Sequence, residues 1–290
     1  MLNLHHLRVF AAVAEHGGFS RAADALRLSQ PAVSKTVQEL ERQVGLPLFD
    51  RVGRTPRLTE AGQALFARAS ELFGVERMAE DELNALRGLA RGILRVGAST
   101  TVATYLLPPL LARFHGQHPG VTLRVASVNT RAVARLLLEG RLDVALVEGP
   151  VVHERIQVTP WLEDELVLIA RPDHHLAKRR RVVAADLMAE AFVVRERGSG
   201  TRAVAERALA EHGVHPRVAV QLGSTEAIKQ AVVAGLGLAI VSRAAAADQL
   251  ALGHIAVVPL RGVALRRALT ELRVTGRPMN APAAAFRALL

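Results

Sequence analysis

The sequence predicts a multidomain α/β chain in three parts. Three observations carry this. Residues 1–58 hold three short helical patterns followed by a small β pattern, residues 59–90 hold one long amphipathic helix, and from residue 93 apolar β runs alternate with helices. A single core stops growing near roughly 250–300 residues, so a chain of 290 residues is expected to divide.

Composition narrows the class. The chain is 50% hydrophobic and 22% charged, a globular balance. It has no cysteine, which excludes disulfides and Cys-ligated metal and fits a cytoplasmic location. No apolar run reaches the ~20 residues that span a bilayer. The opening MLNLHHLRVFAAVAEHG has no basic leader and starts an amphipathic helix. The net charge of +10 is not by itself an argument for nucleic acid. Residues 1–58 hold eight Lys/Arg against five Asp/Glu, residues 59–90 three against six, and residues 91–290 26 against 16. The surplus lies in the C-terminal part.

Asn3 can cap a first helix from Leu4 to about Glu15, with Leu4, Leu7, Phe10, Ala11 and Ala14 on one face. Gly17-Gly18 ends it. Ser20 can cap a second, Arg21–Leu26, whose Ala22 and Ala23 permit close approach. After Arg27-Leu28, Ser29 caps a third helix, Gln30 to about Val44, with Pro31 in its first turn. Val33, Val37, Leu40 and Val44 face inward. Gln30, Ser34, Lys35 and Gln38 face outward, and such groups suit base edges and phosphates. This is a helix-turn-helix pattern; a plain three-helix bundle with a solvated face is the alternative at this point. The stretch Gly45–Thr59 then reads as a small wing whose turn carries Arg51, Arg54 and Arg57, placed for phosphates or a minor groove. The candidate DNA-contacting set is Ser20, Arg21, Ser29, Gln30, Pro31, Ser34, Lys35, Gln38, Arg51, Arg54 and Thr55.

Residues 7–62, LRVFAAVAEHGGFSRAADALRLSQPAVSKTVQELERQVGLPLFDRVGRTPRLTEAG, resemble the LysR-type transcriptional regulators. The resemblance continues through AST at 98–100, YLLP at 105–108, LLEGRLDVALVEGP at 137–150 and LGSTEAIKQAVVAGLGLAIVSR at 222–243. Within the family it looks closest to the regulators of sulfur assimilation and Calvin-cycle genes. It implies a winged helix-turn-helix domain at 1–58, a linker helix at 59–90 and an effector-binding domain at 91–290. It also implies double-stranded DNA as partner, self-association as dimer or tetramer, RNA polymerase contact at promoters, and no catalysis.

Thr59 can cap the linker helix, Glu60 to about Arg87. Leu65, Leu72, Val75, Met78, Ala79, Leu83 and Leu86 form its apolar stripe, and a long helix with such a stripe usually has a partner. Packing on its own chain is the alternative. Gly88–Gly92 reads as the hinge.

Beyond it, strand patterns at Ile93–Val96, Val121–Ser127, Leu142–Val147, Leu166–Ala170, Ala191–Val194, Val218–Leu222 and Leu238–Val241 alternate with helices. That pattern argues for parallel α/β sheets. The domain resembles the two-lobed type 2 periplasmic-binding-protein architecture, with lobe one at about 91–160 plus 267–290 and lobe two at about 161–266. In such folds a ligand sits beyond the carboxyl ends of the strands. The residues at those ends are Ser99, Thr100, Thr101, Asn129, Thr130, Glu148, Arg195, Ser199, Gly200, Thr201, Arg202, Ser224 and Glu226. Hydroxyls and amides beside helix N-termini suit a small anion, either a carboxylate or an inorganic oxyanion. Arg195 or Arg202 could neutralise it. Each Ser, Thr or Asn before a helix is also an ordinary cap, and only their convergence favours a ligand.

Two other functions compete. An enzyme would need a Walker motif, a nucleophile elbow or a paired acid and base, and none is present. A passive architectural DNA binder would not need this cleft lining. No cofactor is expected. His174 and His175 read as adjacent strand residues facing apart, so no metal is expected either. Lys178–Arg181 reads as a solvated run.

Overall fold

The computed structural model describes residues 1–50, 56–86 and 92–290, and for 78, 81, 82 and 84–86 the backbone alone. The chain divides into two compact units, Met1–Glu80 with Glu139–Arg141, and Asp81–Leu138 with Leu142–Leu290.

The first unit begins with α1 (Leu4–His16), capped by the Asn3 side chain and ended by Gly17 at φ 64°. Helix α2 spans Phe19–Leu26 with Gly18 as its N-cap. The expected cap, Ser20, therefore lies inside the helix, because the helix starts two residues earlier, directly after Gly17-Gly18. Helix α3 (Gln30–Val44) has Ser29 as cap and Pro31 in its first turn, and Gly45 closes it. Val33, Val37 and Leu40 are buried against Leu7, Phe10, Ala22 and Ala23. Each such aliphatic side chain contributes about 1.5–3 kcal/mol. The wing strands β1 (Phe49–Asp50) and β2 (Arg57–Leu58) pair antiparallel, Phe49 opposite Leu58. Residues 51–55, with Arg51, Arg54 and Thr55, lie outside the described residues.

Helix α4 spans Glu60–Leu86. Thr59 caps it, its Oγ1 accepting from Gly62 N at 3.0 Å. At 27 residues it is about 40 Å long. Ala69 and Phe73 bury against the helix-turn-helix core, and Leu65 packs partly on it. Leu72, Val75 and Leu83 stay 43%, 63% and 58% exposed. The expected stripe thus splits: Leu65 packs on its own chain, while Leu72, Val75 and Leu83 face outward. The side chains of Met78 and Leu86, and the hinge at 88–91, fall outside the described residues.

In the second unit, β3 (Gly92–Ser99) pairs in parallel with β4 (Val121–Val128) and β5 (Val144–Glu148). Helices α5 (Leu107–Gln117) and α6 (Thr130–Leu138) connect them. Leu94, Val96, Ala98 and Phe114 pack with Phe286 of α10 (Ala281–Arg287), while Val133 and Leu137 of α6 pack with Ala145 and Val147. Helices on both faces explain why β5 reads as an uninterrupted apolar run.

Two long strands depart from the expected parallel sheet. β6 covers Ile156–Ala170 and β11 covers Arg266–Val274, and they pair antiparallel with each other. β11 also pairs antiparallel with β5. The sequence boundary at 160/161 thus falls inside a strand. Polar residues at Thr159, Glu163 and Glu165 interrupt the apolar pattern that reveals strand only at 166–170. Lobe two adds β7 (Ala191–Arg195) parallel to β8 (Arg217–Leu222), and β9 (Ala239–Ser242) and β10 (Ala256–Val257) along β6. Helices α7 (Gly200–Ala210), α8 (Thr225–Val233) and α9 (Arg243–Ala251) cover it.

Candidate effector and DNA sites

The parallel pairing of β3 with β5 sets Ala98 beside Leu146, which brings Ser99 and Glu148 to neighbouring strand ends. A helical segment starts at Thr100 and runs through a π-helical turn, Val102–Leu106, into α5. Such turns cluster at functional sites, and the first turn of a helix has N–H groups without intrahelical partners. Ser99, Thr101 and Glu148 are buried. The Ser99 Oγ, Thr100 Oγ1 and Glu148 Oε2 are all shielded from solvent and find no hydrogen-bond partner among the described residues. Buried polar groups are nearly always paired, so three orphans at one sheet edge mark a place shaped for something else.

Around Glu148 lies a buried ionic cluster. Thr201 Oγ1 donates to Glu148 Oε1 at 3.2 Å and accepts from Arg267 Nη1 at 2.7 Å. The Arg267 guanidinium pairs with Asp164 at 2.7 Å and stands 3.9 Å from Glu148. Ser242 Oγ donates to the other Asp164 oxygen at 2.8 Å. Burial pushes the Glu148 carboxyl above its ordinary value of 4.5, against the pull of the Arg267 and Arg195 charges and the Thr201 hydroxyl. The folded chain therefore holds this proton more tightly than the unfolded chain. Its stability contribution is present in full below the ordinary carboxylate value and falls as pH rises through the folded value. Glu148→Gln, a neutral isostere, is expected to be more stable than the parent at neutral pH, the gain shrinking toward pH 4.5. Urea midpoints at the two pH values check this; a gain independent of pH would contradict it.

The other expected residues divide by role. Thr130 Oγ1 donates to the Glu148 carbonyl at 2.9 Å. Asn129, Ser199 and Ser224 cap α6, α7 and α8, accepting from Ala132 N, Arg202 N and Ala227 N. Gly200 serves close approach: a Cβ there would lie 1.8 Å from the Glu148 carbonyl oxygen. Arg195 is committed to Glu196 at 2.8 Å, and Arg202 to Glu206 at 2.7 Å, so both candidate counter-charges already have carboxylates. Glu226 is exposed and pairs with Lys229 at 2.8 Å. It also accepts from Tyr105 at 3.2 Å, a bridge between the two lobes.

Arg267, Asp164, Tyr105 and Lys229 were not singled out in the sequence. The one available signal was Arg267's place in phase with Leu269 on an alternating strand. The histidine expectation also changes. His174 and His175 sit in a turn, their rings stacked 4.6 Å apart, and their Nε2 atoms reach Glu190 at 3.5 and 3.1 Å. Leu176 N–H donates to His174 Nδ1 at 3.3 Å, which leaves the Nε2–H tautomer facing Glu190. The two imidazoles and the Glu190 carboxylate lie close enough together to hold a metal ion, a grouping that the expectation of rings facing apart did not foresee. Lys178–Arg181 is exposed as expected.

On α3, Gln30, Lys35 and Gln38 are exposed and Ser34 is half-buried, opposite the buried Val33, Val37 and Leu40. Ser20, Arg21, Ser29 and Pro31 are exposed near its start, and Arg21 Nη2 donates to Gly17 O at 2.6 Å. A helix tightly packed on one side thus presents an open polar stripe on the other, as a groove-reading helix must.

Comparisons with known proteins agree with this geometry. Residues 4–63 match "Bacterial regulatory helix-turn-helix protein, lysR family", and residues 87–290 match "LysR substrate binding domain". The chain is 38% identical over 286 residues to the RuBisCO operon transcriptional regulator of Allochromatium vinosum, covering 99% of this chain and 94% of that protein. Among solved structures it resembles the CcmR regulatory domain of Synechocystis PCC6803 in complex with 2-PG, with TM-score 0.64 and 29% identity over 68% of this chain and 95% of that one. It also resembles full-length CbnR complexed with its target DNA, with TM-score 0.69 and 25% identity over 99% and 98% of the two chains. These relatives are of the Calvin-cycle type, within the subgroup that the sequence resembles. The chain belongs to the LysR family of DNA-binding transcriptional regulators and is a regulator, not an enzyme.

Proposed function

We propose that this regulator controls promoter binding through a small anion held where Ser99, Thr100, Glu148 and Thr201 meet. The observation that carries this is the trio of buried, unpartnered oxygens at the sheet edge. Ser99 and Thr100 are hydroxyl donors. Glu148, whose burial favours the protonated form, places its unpartnered Oε2 at the same edge. Such a donor set suits a carboxylate or oxyanion of low charge, and the 2-PG bound by CcmR is a relative's example of a small metabolite in this domain type. Residues of both lobes meet here, so a ligand preferring the closed form shifts the lobe equilibrium by its differential affinity.

Calorimetry of the full chain with sulfate, phosphate and small carboxylates tests the assignment. Ser99→Ala with Thr100→Val is expected to weaken the best anion by about tenfold or more, at roughly 1.5–3 kcal/mol per hydrogen bond to a charged group. Unchanged affinity would remove the site from this edge.

The DNA head reads a two-fold related operator as a homodimer or tetramer in the cytoplasm, the outward stripe Leu72, Val75 and Leu83 serving as the helix contact, with RNA polymerase as partner at the promoter. Single alanines at Gln30, Ser34, Lys35 or Gln38 are expected to cost about 1–3 kcal/mol where they reach a base. Competition binding against point-mutated operators separates base contacts from phosphate contacts. A quadruple alanine variant that still discriminates its operator would refute the recognition-helix assignment.

A further inference from the structure

A cavity of about 720 Å³ lies between α6 and α7, lined at their starts by Thr130 and Gly200 and elsewhere by residues other than Ser99, Thr100 and Glu148. That is within the size range of small-ligand pockets. Its rim carries four arginines, Arg131, Arg135, Arg197 and Arg202, against one carboxylate, Glu206, which already pairs with Arg202. Arg131 and Arg197 are exposed and have no ion pair among the described residues. Its floor is apolar, with Ala134, Leu138 and Val151. Positive groups around a concave, low-dielectric wall focus potential and draw counter-ions into the cavity. Helices α6 and α7 both begin at its edge, which adds to the same field.

We propose that this cavity is a second anion site, for a compact, multiply charged phosphate compound, distinct from the interior hydroxyl site. The two sites differ chemically. The interior one offers O–H donors beside a carboxylate and favours low charge. The outer one offers guanidinium forks, whose planar paired N–H groups match phosphate oxygens bidentately. Arg131 comes from lobe one and Arg197 from lobe two, so a polyanion held by both bridges the lobes. Occupancy of the outer site therefore acts on the same closure as the interior ligand, by charge rather than by buried hydrogen bonds.

Titration calorimetry of the full-length chain with inorganic pyrophosphate at low ionic strength tests this. The parent is expected to bind, and Arg131→Gln with Arg197→Gln to raise Kd by at least about tenfold, the loss of charge-assisted hydrogen bonds at two guanidiniums. Both positions are exposed, and unchanged thermal unfolding of the ligand-free variant confirms its fold. Ser99→Ala with Thr100→Val is expected to leave the pyrophosphate Kd unchanged. Absence of binding by the parent overturns the proposal, as does an undisturbed Kd in the double glutamine variant. Binding lost only in the Ser99/Thr100 variant also overturns it, while supporting the interior anion site.

Discussion

Replacing Arg267 with leucine is expected to destabilise the effector domain by about 3–5 kcal/mol, the cost of breaking a buried ion pair from one side. Arg267 is 5% exposed and holds Asp164 at 2.7 Å, Thr201 at 2.7 Å and Glu148 at 3.9 Å. Without it, Asp164 keeps one hydrogen bond, from Ser242, and remains a buried charge without a counter-ion. Asp164 lies at 2.7 Å from Arg267 and Glu148 at 3.9 Å, so Asp164 is the main source of the loss. Leucine restores apolar volume but cannot compensate the desolvated carboxylate. At roughly 2–4 °C per kcal/mol for a domain of this size, the melting temperature should fall by about 6–20 °C. Arg266→Leu, one residue away and exposed, should change stability by no more than about 0.5 kcal/mol. Adding Glu148→Gln and Asp164→Asn to Arg267→Leu should recover much of the loss, since neutral partners need no counter-charge. Equal melting of the Arg267 and Arg266 variants would show that the cluster contributes nothing to stability.

Gly200→Ala is expected to cost about 3 kcal/mol or more and to blunt the effector response. The added Cβ would lie 1.8 Å from the Glu148 carbonyl oxygen, 2.6 Å from its carbon and 2.8 Å from Thr130 Oγ1. Two of those atoms are backbone and cannot rotate away. Alanine gains about 0.5–1 kcal/mol over glycine in a helix, which is smaller than the overpacking penalty of roughly 1–3 kcal/mol or more. Gly149 is tied to the same crossing, since its own Cβ would meet Gly200 Cα at 2.7 Å. Gly116→Ala supplies the contrast, because that glycine also lies in a helix and has nothing within 4 Å of a Cβ. It should be neutral or slightly stabilising. Denaturant unfolding of the two variants side by side, with anion affinity measured on each, decides whether the crossing needs glycine for space.

The three helices of the helix-turn-helix were legible in the chain. Its signals are local: Asn3 and Ser29 as caps, Gly17 and Gly45 as stops, and Val33, Val37 and Leu40 at helical spacing. Caps and periodicity act within a few residues, so a linear reading recovers them. Ser20 shows the limit, since two capping residues competed within one turn and the glycine pair won. The candidate effector edge was legible in part as a place in the fold. Ser99, Thr100, Glu148 and Thr201 follow from strand-to-helix transitions, which the sequence marks by an apolar run ending in a hydroxyl or a carboxylate.

What only the tertiary structure decided is which of those groups remain unpaired. Asn129, Ser199 and Ser224 have the same local signature as Ser99 and Thr100, yet the first three cap helices while the last two have no partner. Arg195 and Arg202 looked available because their neighbours Glu196 and Glu206 could equally have pointed away. The cluster that sets the charge of the interior joins Glu148, Asp164, Thr201 and Arg267, residues brought together by β6 and β11 crossing between lobes. Pairing across such separations leaves no local periodicity to read. The sequence determines the elements and their capping chemistry; the crossing of two long strands determines which polar groups are satisfied and which are left for the proposed ligand.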